Sequence, residues 1–154
     1  MTTKSAVTAP APDSLLHKPA PSFVRNDLSN QPVDLTALRG HVVMLTFWAT
    51  WCAPCQIEMP HFIDWQRKYG HAGLQIVGVS MDDDAGPVKF LIGKRGTNYP
   101  IVMGDEKLGM QYGGILGLPV TFLIDRRGII RAQYKGETDL ESMERSIQNL
   151  LNTR

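Results

Sequence analysis

Residues 47–60 read FWATWCAPCQIEMP and hold both cysteines of the chain, Cys52 and Cys55. Two thiols with two residues between them can be a metal clip, a structural staple or a redox pair. The flanking residues bear on the choice. Upstream, HVVMLTFWA (41–49) is a continuous apolar run with β-branched and aromatic side chains. It is too short for a useful helix, so a buried central strand is predicted over Val42–Ala49. Downstream, Ile57, Phe62, Ile63 and Trp65 sit near helical spacing, and Gly70 suits a C-terminal cap. A helix is predicted from Ala53 to Tyr69. Pro60 should kink it, because proline lacks a backbone donor and crowds the preceding turn.

Cys52 is thereby placed just after a strand and at the start of a helix. Helix N-termini present unpaired N–H groups and the positive end of the macrodipole, and both favour thiolate over thiol. A cysteine so placed can have its pKa lowered from about 8.5 into roughly the 3.5–7.5 range. Cys52 is expected to be the exposed nucleophile. Cys55, one turn inward, is expected to be less exposed and to resolve the mixed disulfide. Pro54 fits early in the helix, where a missing N–H costs little. Trp51 reads either as a core aromatic or as an apolar surface for a partner peptide; Trp48 reads as core.

The other two chemistries fit less well. A bridge across two intervening residues closes a tiny loop and restricts the unfolded chain little. Disulfide frameworks usually take four or more cysteines. Structural zinc wants four ligands, and His17, His41, His61 and His71 show no HxxxH spacing.

The rest of the chain frames this centre. Its 154 residues suit one domain, able to bury a core without staples. A net charge of +1 gives no sign of nucleic-acid or membrane-surface binding, and no apolar run reaches the length of a membrane span. The first 18 residues, rich in Pro, Ala, Ser and Thr, suggest a disordered lead-in and lack the apolar core of a signal peptide. SFVRNDLSNQPVDLTALRG (22–40) reads as a β-hairpin followed by a helical turn. Then come a second buried strand in LQIVGVSM (74–81), a helix over Ala85–Arg95, a strand in YPIVMG (99–104) and a short helix in DEKLGMQYG (105–113). A hairpin turning at Asp125–Gly128 and a C-terminal helix with Leu140, Met143, Ile147, Leu150 and Leu151 on one face complete the order. Strands interleaved with helices imply an α/β fold with a partly parallel sheet. Asp82–Asp84 lack EF-hand spacing and read as a solvated turn and helix start. Met81, Met103 and Met110 read as buried packing, and Arg126 and Arg127 as decoration of the hairpin turn.

FWATWCAPC, with CxPC ahead of a long helix, resembles the strand-to-active-site signature of the thioredoxin superfamily. The chain resembles most its TlpA/ResA-type branch of bacterial envelope thiol–disulfide oxidoreductases. Four features carry this: the lead KPAPSFVRNDLSNQPVDLTALRGHVVMLTFWATWC (18–52), which also resembles the redoxin (AhpC/TSA-like) N-terminal region; Glu58 in CQIEMP; about 25 extra residues over 87–112; and GILGLPVTFLIDRRG (114–128). The resemblance implies an α/β thioredoxin-like fold: a mixed central sheet flanked by helices, an N-terminal β-hairpin and a central insertion of about 25 residues. It covers nearly the whole chain after His17, with a lead-in over residues 1–18 and one domain over residues 19–154.

The resemblance also implies roles. Thr46 stands where thioredoxin carries a buried Asp, and it cannot take a proton at neutral pH. Glu58, one turn beyond Cys55, can serve instead as the base, its pKa raised by partial burial; a solvated or purely supporting Glu is the other reading. Pro119 aligns with the family's cis-proline, which would set Leu118's backbone beside Cys52 for strand-like pairing with a substrate. The substrate-binding residues implied are Trp51, Ala53, Pro54, Leu118 and Pro119, with Cys52, Cys55 and Glu58 catalytic. No cofactor and no metal are expected.

The expected function is reductive thiol–disulfide exchange on protein disulfides, of the cytochrome c maturation type, with apocytochrome c among the candidate substrates. The electron donor would be a membrane thiol reductase of the DsbD/CcdA type. A monomer is expected, in the bacterial periplasm or cell envelope if an anchor preceded this chain, or in the cytoplasm if Met1 is native. Two rivals compete. A peroxiredoxin needs PxxxTxxC, but Leu45 and Ala49 stand where Pro and Thr would be. A copper-delivery module tends to a CxxxC spacing and a later histidine, and no histidine follows His71.

Overall fold

A computed structural model describes residues 15–153. The elements are β1 (Val24–Asn26), β2 (Pro32–Asp34), β3 (Val42–Trp48), α1 (Ala53–Tyr69), β4 (Leu74–Ser80), α2 (Ala85–Arg95), β5 (Ile101–Met103), α3 (Glu106–Gln111), β6 (Val120–Ile124), β7 (Ile130–Lys135) and α4 (Leu140–Leu151), with short 3₁₀ turns at Thr36–Leu38 and Gly70–Ala72. β1 and β2 form an antiparallel hairpin. The main sheet runs β5-β4-β3-β6-β7. β3 is parallel to β4, and β4 to β5, while β6 runs antiparallel to both β3 and β7. The fold is the expected mixed sheet flanked by helices with an N-terminal hairpin. Residues 87–112 supply most of α2, then β5 and α3. No helix among the described residues is long and apolar enough to cross a membrane.

Every residue of β3 is buried, which is why its sequence is apolar at every position but Thr46 rather than an alternation. Its side chains still alternate in direction. Val42, Met44 and Trp48 join Met59, Phe62 and Trp65 of α1, Val88 of α2, and Met143 and Ile147 of α4. Val43, Leu45 and Phe47 face the other way, onto Phe23, Val33, Leu35, Leu108 and Tyr112. Burying side chains of this size contributes roughly 1.5–3 kcal/mol each. Gly78, in the middle of β4, faces the α1 layer. A Cβ there would lie 2.5 Å from Ile101 Cδ1 and 3.1 Å from Trp48 Nε1. A side chain here would make Ile101 shift and press on Trp48, so glycine lets both pack closely over β4.

α1 packs inward through Cys55, Glu58, Met59, Phe62 and Trp65. Ile57, counted in the apolar pattern, is instead exposed, because it lies on the opposite side of the helix from Met59 and Phe62. The helices α2, α3 and α4 start on Asp84, Asp105 and Asp139, whose carboxylates accept the first free N–H groups.

Three readings of surface residues need correction. Arg126 is no turn ornament: its guanidinium donates to the carbonyls of Gly40 (2.8 Å), Ala72 (3.0 Å) and Leu151 (2.9 Å) and so fastens three distant segments. Met110 is exposed, since α3 is only six residues long and buries Leu108 and Gly109 instead. Asp82 is buried, as described below. Of the expected lead-in, residues 1–14 lie outside the described residues. Leu15–Lys18 form a turn in which His17 N–H donates to Ile130 O and Ile130 N–H to Lys18 O.

Candidate active site

Cys52 is the N-cap of α1, in extended conformation (φ −96°, ψ 110°), and its Sγ accepts a hydrogen bond from Cys55 N–H at 3.3 Å. Pro54 occupies the first turn, where no intrahelical donor is needed. The two cysteines are joined as a disulfide, their Cα atoms 5.3 Å apart. In this state the expected contrast in exposure is slight: Cys52 is 6% exposed and Cys55 4%. The bond draws both sulfurs against the first turn of α1. The arrangement can open and close a disulfide at the positive end of a helix, where a released thiolate is stabilised.

The turn that delivers Cys52 is held by Asp82, which is buried and not part of a solvated turn as its sequence suggests. Asp82 follows β4 and accepts from Thr50 N–H (3.0 Å), Thr50 Oγ1–H (2.5 Å) and Ser80 Oγ–H (2.7 Å). Asp83 and Asp84 are exposed as expected. The partner of Asp82 lies 32 positions away, so no local pattern could show it. On the other side of the same turn, Gln56 Nε2 donates to Thr50 O at 2.5 Å.

Beneath the disulfide, Thr46, Trp48, Cys55, Glu58, Met59, Phe62 and Tyr99 line a cavity of about 10 Å³. Glu58 is 5% exposed, so the solvated reading of this residue is overturned. Its Oε1 and the Trp48 indole nitrogen are buried with no hydrogen-bond partner in the protein. Burial, with the Glu137 carboxylate adding to it, pushes the Glu58 carboxyl up to about 7. A charged carboxylate loses its hydration there, so the neutral form is favoured. Thr46, in the place of an acid, bonds hydroxyl to hydroxyl with Thr121 at 2.9 Å.

Around the disulfide the surface is apolar. Trp51 is 71% exposed, which rules out its core reading, whereas Trp48 is buried in the core. Ala53 is exposed and Pro54 half-buried beside it. The Leu118–Pro119 peptide is cis. Leu118 packs against the buried cluster that contains both cysteines. Residues 112–120, with Gln133, Lys135 and Gly136, form a groove of about 220 Å³, and Leu116 stands at its edge with 96% exposure. No group of three or more His, Cys, Asp or Glu among the described residues is arranged to hold a metal.

The model of the AhpC/TSA family matches residues 16–133 of this chain. Thiol-disulfide oxidoreductase ResA of Bacillus thuringiensis (strain Al Hakam) is 35% identical over 127 residues, which are 82% of this chain and 73% of that protein. ResA of Bacillus subtilis (strain 168) is 32% identical over 132 residues, with shares of 86% and 73%. The solved structure of a thiol:disulfide interchange protein of the thioredoxin family from Chlorobium tepidum TLS superposes with a TM-score of 0.81 at 29% identity. It covers 87% of this chain and 96% of that one.

Proposed function

From the chain's membership of the AhpC/TSA family, among ResA-like thiol–disulfide oxidoreductases, we propose that its exchange reaction runs in the reductive direction on disulfides of other proteins, with Cys52 as attacking thiolate and Cys55 as resolving thiol. The observation that carries this reading is the position of the pair: Cys52 caps the helix, and Cys55 faces the buried carboxyl of Glu58 across one small cavity.

The dithiol form begins with Cys52 as thiolate, favoured by the helix N-terminus. It attacks one sulfur of the substrate disulfide, forming a mixed disulfide and releasing the other sulfur as a thiolate that takes a proton from water. Cys55 then gives its proton to the Glu58 carboxylate and attacks the Cys52 sulfur. The second substrate sulfur leaves as a thiolate and takes a proton from water, Glu58 gives up the proton it accepted, and the Cys52–Cys55 disulfide closes. Two electrons pass from the enzyme's dithiol to the substrate. A carboxyl that titrates near neutrality is matched to this proton transfer.

Substrate segments would lie across Trp51, Ala53 and Pro54 on one side and Leu118–Pro119 on the other, the exposed indole supplying apolar contact. A separate dithiol donor must reopen the bond; a membrane reductase of the DsbD/CcdA type fits this requirement. Resemblance to the ResA-type branch supports a bacterial envelope location and apocytochrome c as a substrate. The test is reduction of insulin with dithiothreitol as donor. The protein should accelerate the reaction over donor alone, and Cys52→Ser should abolish the acceleration. Wild-type protein that leaves the donor's rate unchanged would overturn the proposal.

A further inference from the structure

Pro60 lies inside α1 and has no N–H, so the carbonyl of Gln56, four residues before it, has no helical donor. The donor comes from another helix. Arg95, the last residue of α2, places Nη1 3.2 Å from Gln56 O and Nη2 3.1 Å from Gln56 Oε1. Gln56 in turn donates from Nε2 to Thr50 O at 2.5 Å, and its own N–H donates to Cys52 O at 3.2 Å. A continuous path of hydrogen bonds thus runs from a guanidinium to the carbonyls of Thr50 and Cys52. The bidentate contact suits the guanidinium fork and no other cationic side chain.

We infer that Arg95 is a positioning residue for the exchange reaction: acting through Gln56, it fixes the Thr50–Cys52 turn and adds positive potential to the helix start that holds the Cys52 thiolate. Asp82 and Arg95 then grip the turn from opposite sides, one through the Thr50 N–H and hydroxyl, the other through its carbonyl. Asp82 after β4 is bonded to Thr50, Glu58 on α1 shares a cavity with Cys55 and feels the Glu137 carboxylate, and Arg95 on α2 is bonded to Gln56. Three of these are acids that disfavour a thiolate. Removing the Arg95 cation therefore shifts the balance toward thiol and toward disulfide.

Sequence pattern alone reads Arg95 as a basic residue suited to a helix C-terminus. What separates the two roles is a readout at Cys52. This inference rests on the exchange reading above. Arg95→Gln and Gln56→Met each break the path at a different point, and Arg95→Lys keeps the charge but loses the fork. The measurements are the pH dependence of Cys52 alkylation in the reduced protein and the exchange equilibrium with glutathione, with thermal unfolding as a control. Arg95→Gln and Gln56→Met should both raise the apparent pKa of Cys52. Arg95→Gln should also move the equilibrium toward disulfide by about tenfold, equal to about 30 mV more negative. Arg95→Lys should recover part of the pKa but not the wild-type equilibrium. If Arg95→Gln and Gln56→Met lower only the unfolding temperature and leave the alkylation profile and equilibrium at wild-type values, Arg95 is structural and the inference falls. If either fails to fold, the other and Arg95→Lys decide. A wild-type protein with no reversible equilibrium would fail the exchange reading itself, and the two failures are distinct.

Discussion

Glu58 follows Cys55 by one helical turn, and both line the same cavity of about 10 Å³ under the disulfide, with one carboxyl oxygen unpaired. Burial raises this carboxyl to about 7. As the pH rises through that value Glu58 becomes able to accept the Cys55 proton. Resolution of the mixed disulfide should accelerate over the same range. Glu58→Gln should slow resolution about 10²-fold or more, within the span of a general base, and remove the inflection near pH 7. Stopped-flow kinetics of the second step, from pH 5 to 9, measure both; an unchanged profile would remove Glu58 from the mechanism.

The same carboxyl links stability to pH. Its folded pKa, about 7, lies above its ordinary 4.5, so the folded state holds the proton more tightly. Stability is unaffected below pH 4.5 and falls as pH rises toward 7, by on the order of 3 kcal/mol in all. Glu58→Gln carries no such charge. The stability of this variant relative to the parent should rise by that amount between pH 4 and pH 8, read from urea midpoints. A constant difference would mean that the carboxylate is not costly to bury.

Cys55→Ser removes the resolving thiol and leaves Cys52 to attack. Mixed disulfides with substrate proteins should accumulate through Cys52 and dissolve on reduction, as seen on non-reducing gels and by mass spectrometry. Trapping through position 55 in a Cys52→Ser variant, with none in Cys55→Ser, would reverse the assigned roles.

Asp82 takes three hydrogen bonds at the end of β4, two of them from Thr50. Asp82→Ala leaves the half-buried N–H and hydroxyl of Thr50, and the buried hydroxyl of Ser80, without their acceptor. It should cost about 2–3 kcal/mol of stability and lower exchange activity per folded molecule, because the turn before Cys52 is no longer fixed. Chemical denaturation and insulin reduction at matched folded fractions would check this. Full activity per folded molecule would confine Asp82 to stability.

Trp51, next to Cys52 in the chain, is 71% exposed. Trp51→Ala should lower kcat/KM for a protein disulfide about tenfold, near 1.4 kcal/mol of lost contact, while reduction of a small symmetric disulfide stays close to wild type. Equal losses on both substrates would place the defect in the cysteine pair instead.

Much of this architecture follows from local pattern. The mostly apolar run at 42–48 marks a strand buried on both faces, and the helices over Ala53–Tyr69 and Ala85–Arg95 stand where the sequence predicts them. Local pattern fails where the partner is remote. Asp82 reads as solvated because Thr50 is absent from its neighbourhood in sequence. Arg126 reads as turn decoration because Gly40, Ala72 and Leu151 converge on it only through the fold. Pro60 announces a broken hydrogen bond, but not that Arg95 supplies the missing donor. Glu58 can be placed one turn from Cys55 by helical geometry, but the cavity it lines is closed by Thr46 and Trp48 of β3 and by Tyr99, which only the fold brings there.

The most direct test of reductive exchange is a redox titration of the Cys52–Cys55 pair, following tryptophan fluorescence in dithiol buffers of set potential. The account requires one reversible two-electron transition near or below about −250 mV, toward the thioredoxin end of the scale. A transition at about −120 to −180 mV, the range of protein oxidants and isomerases, would contradict the direction assigned here.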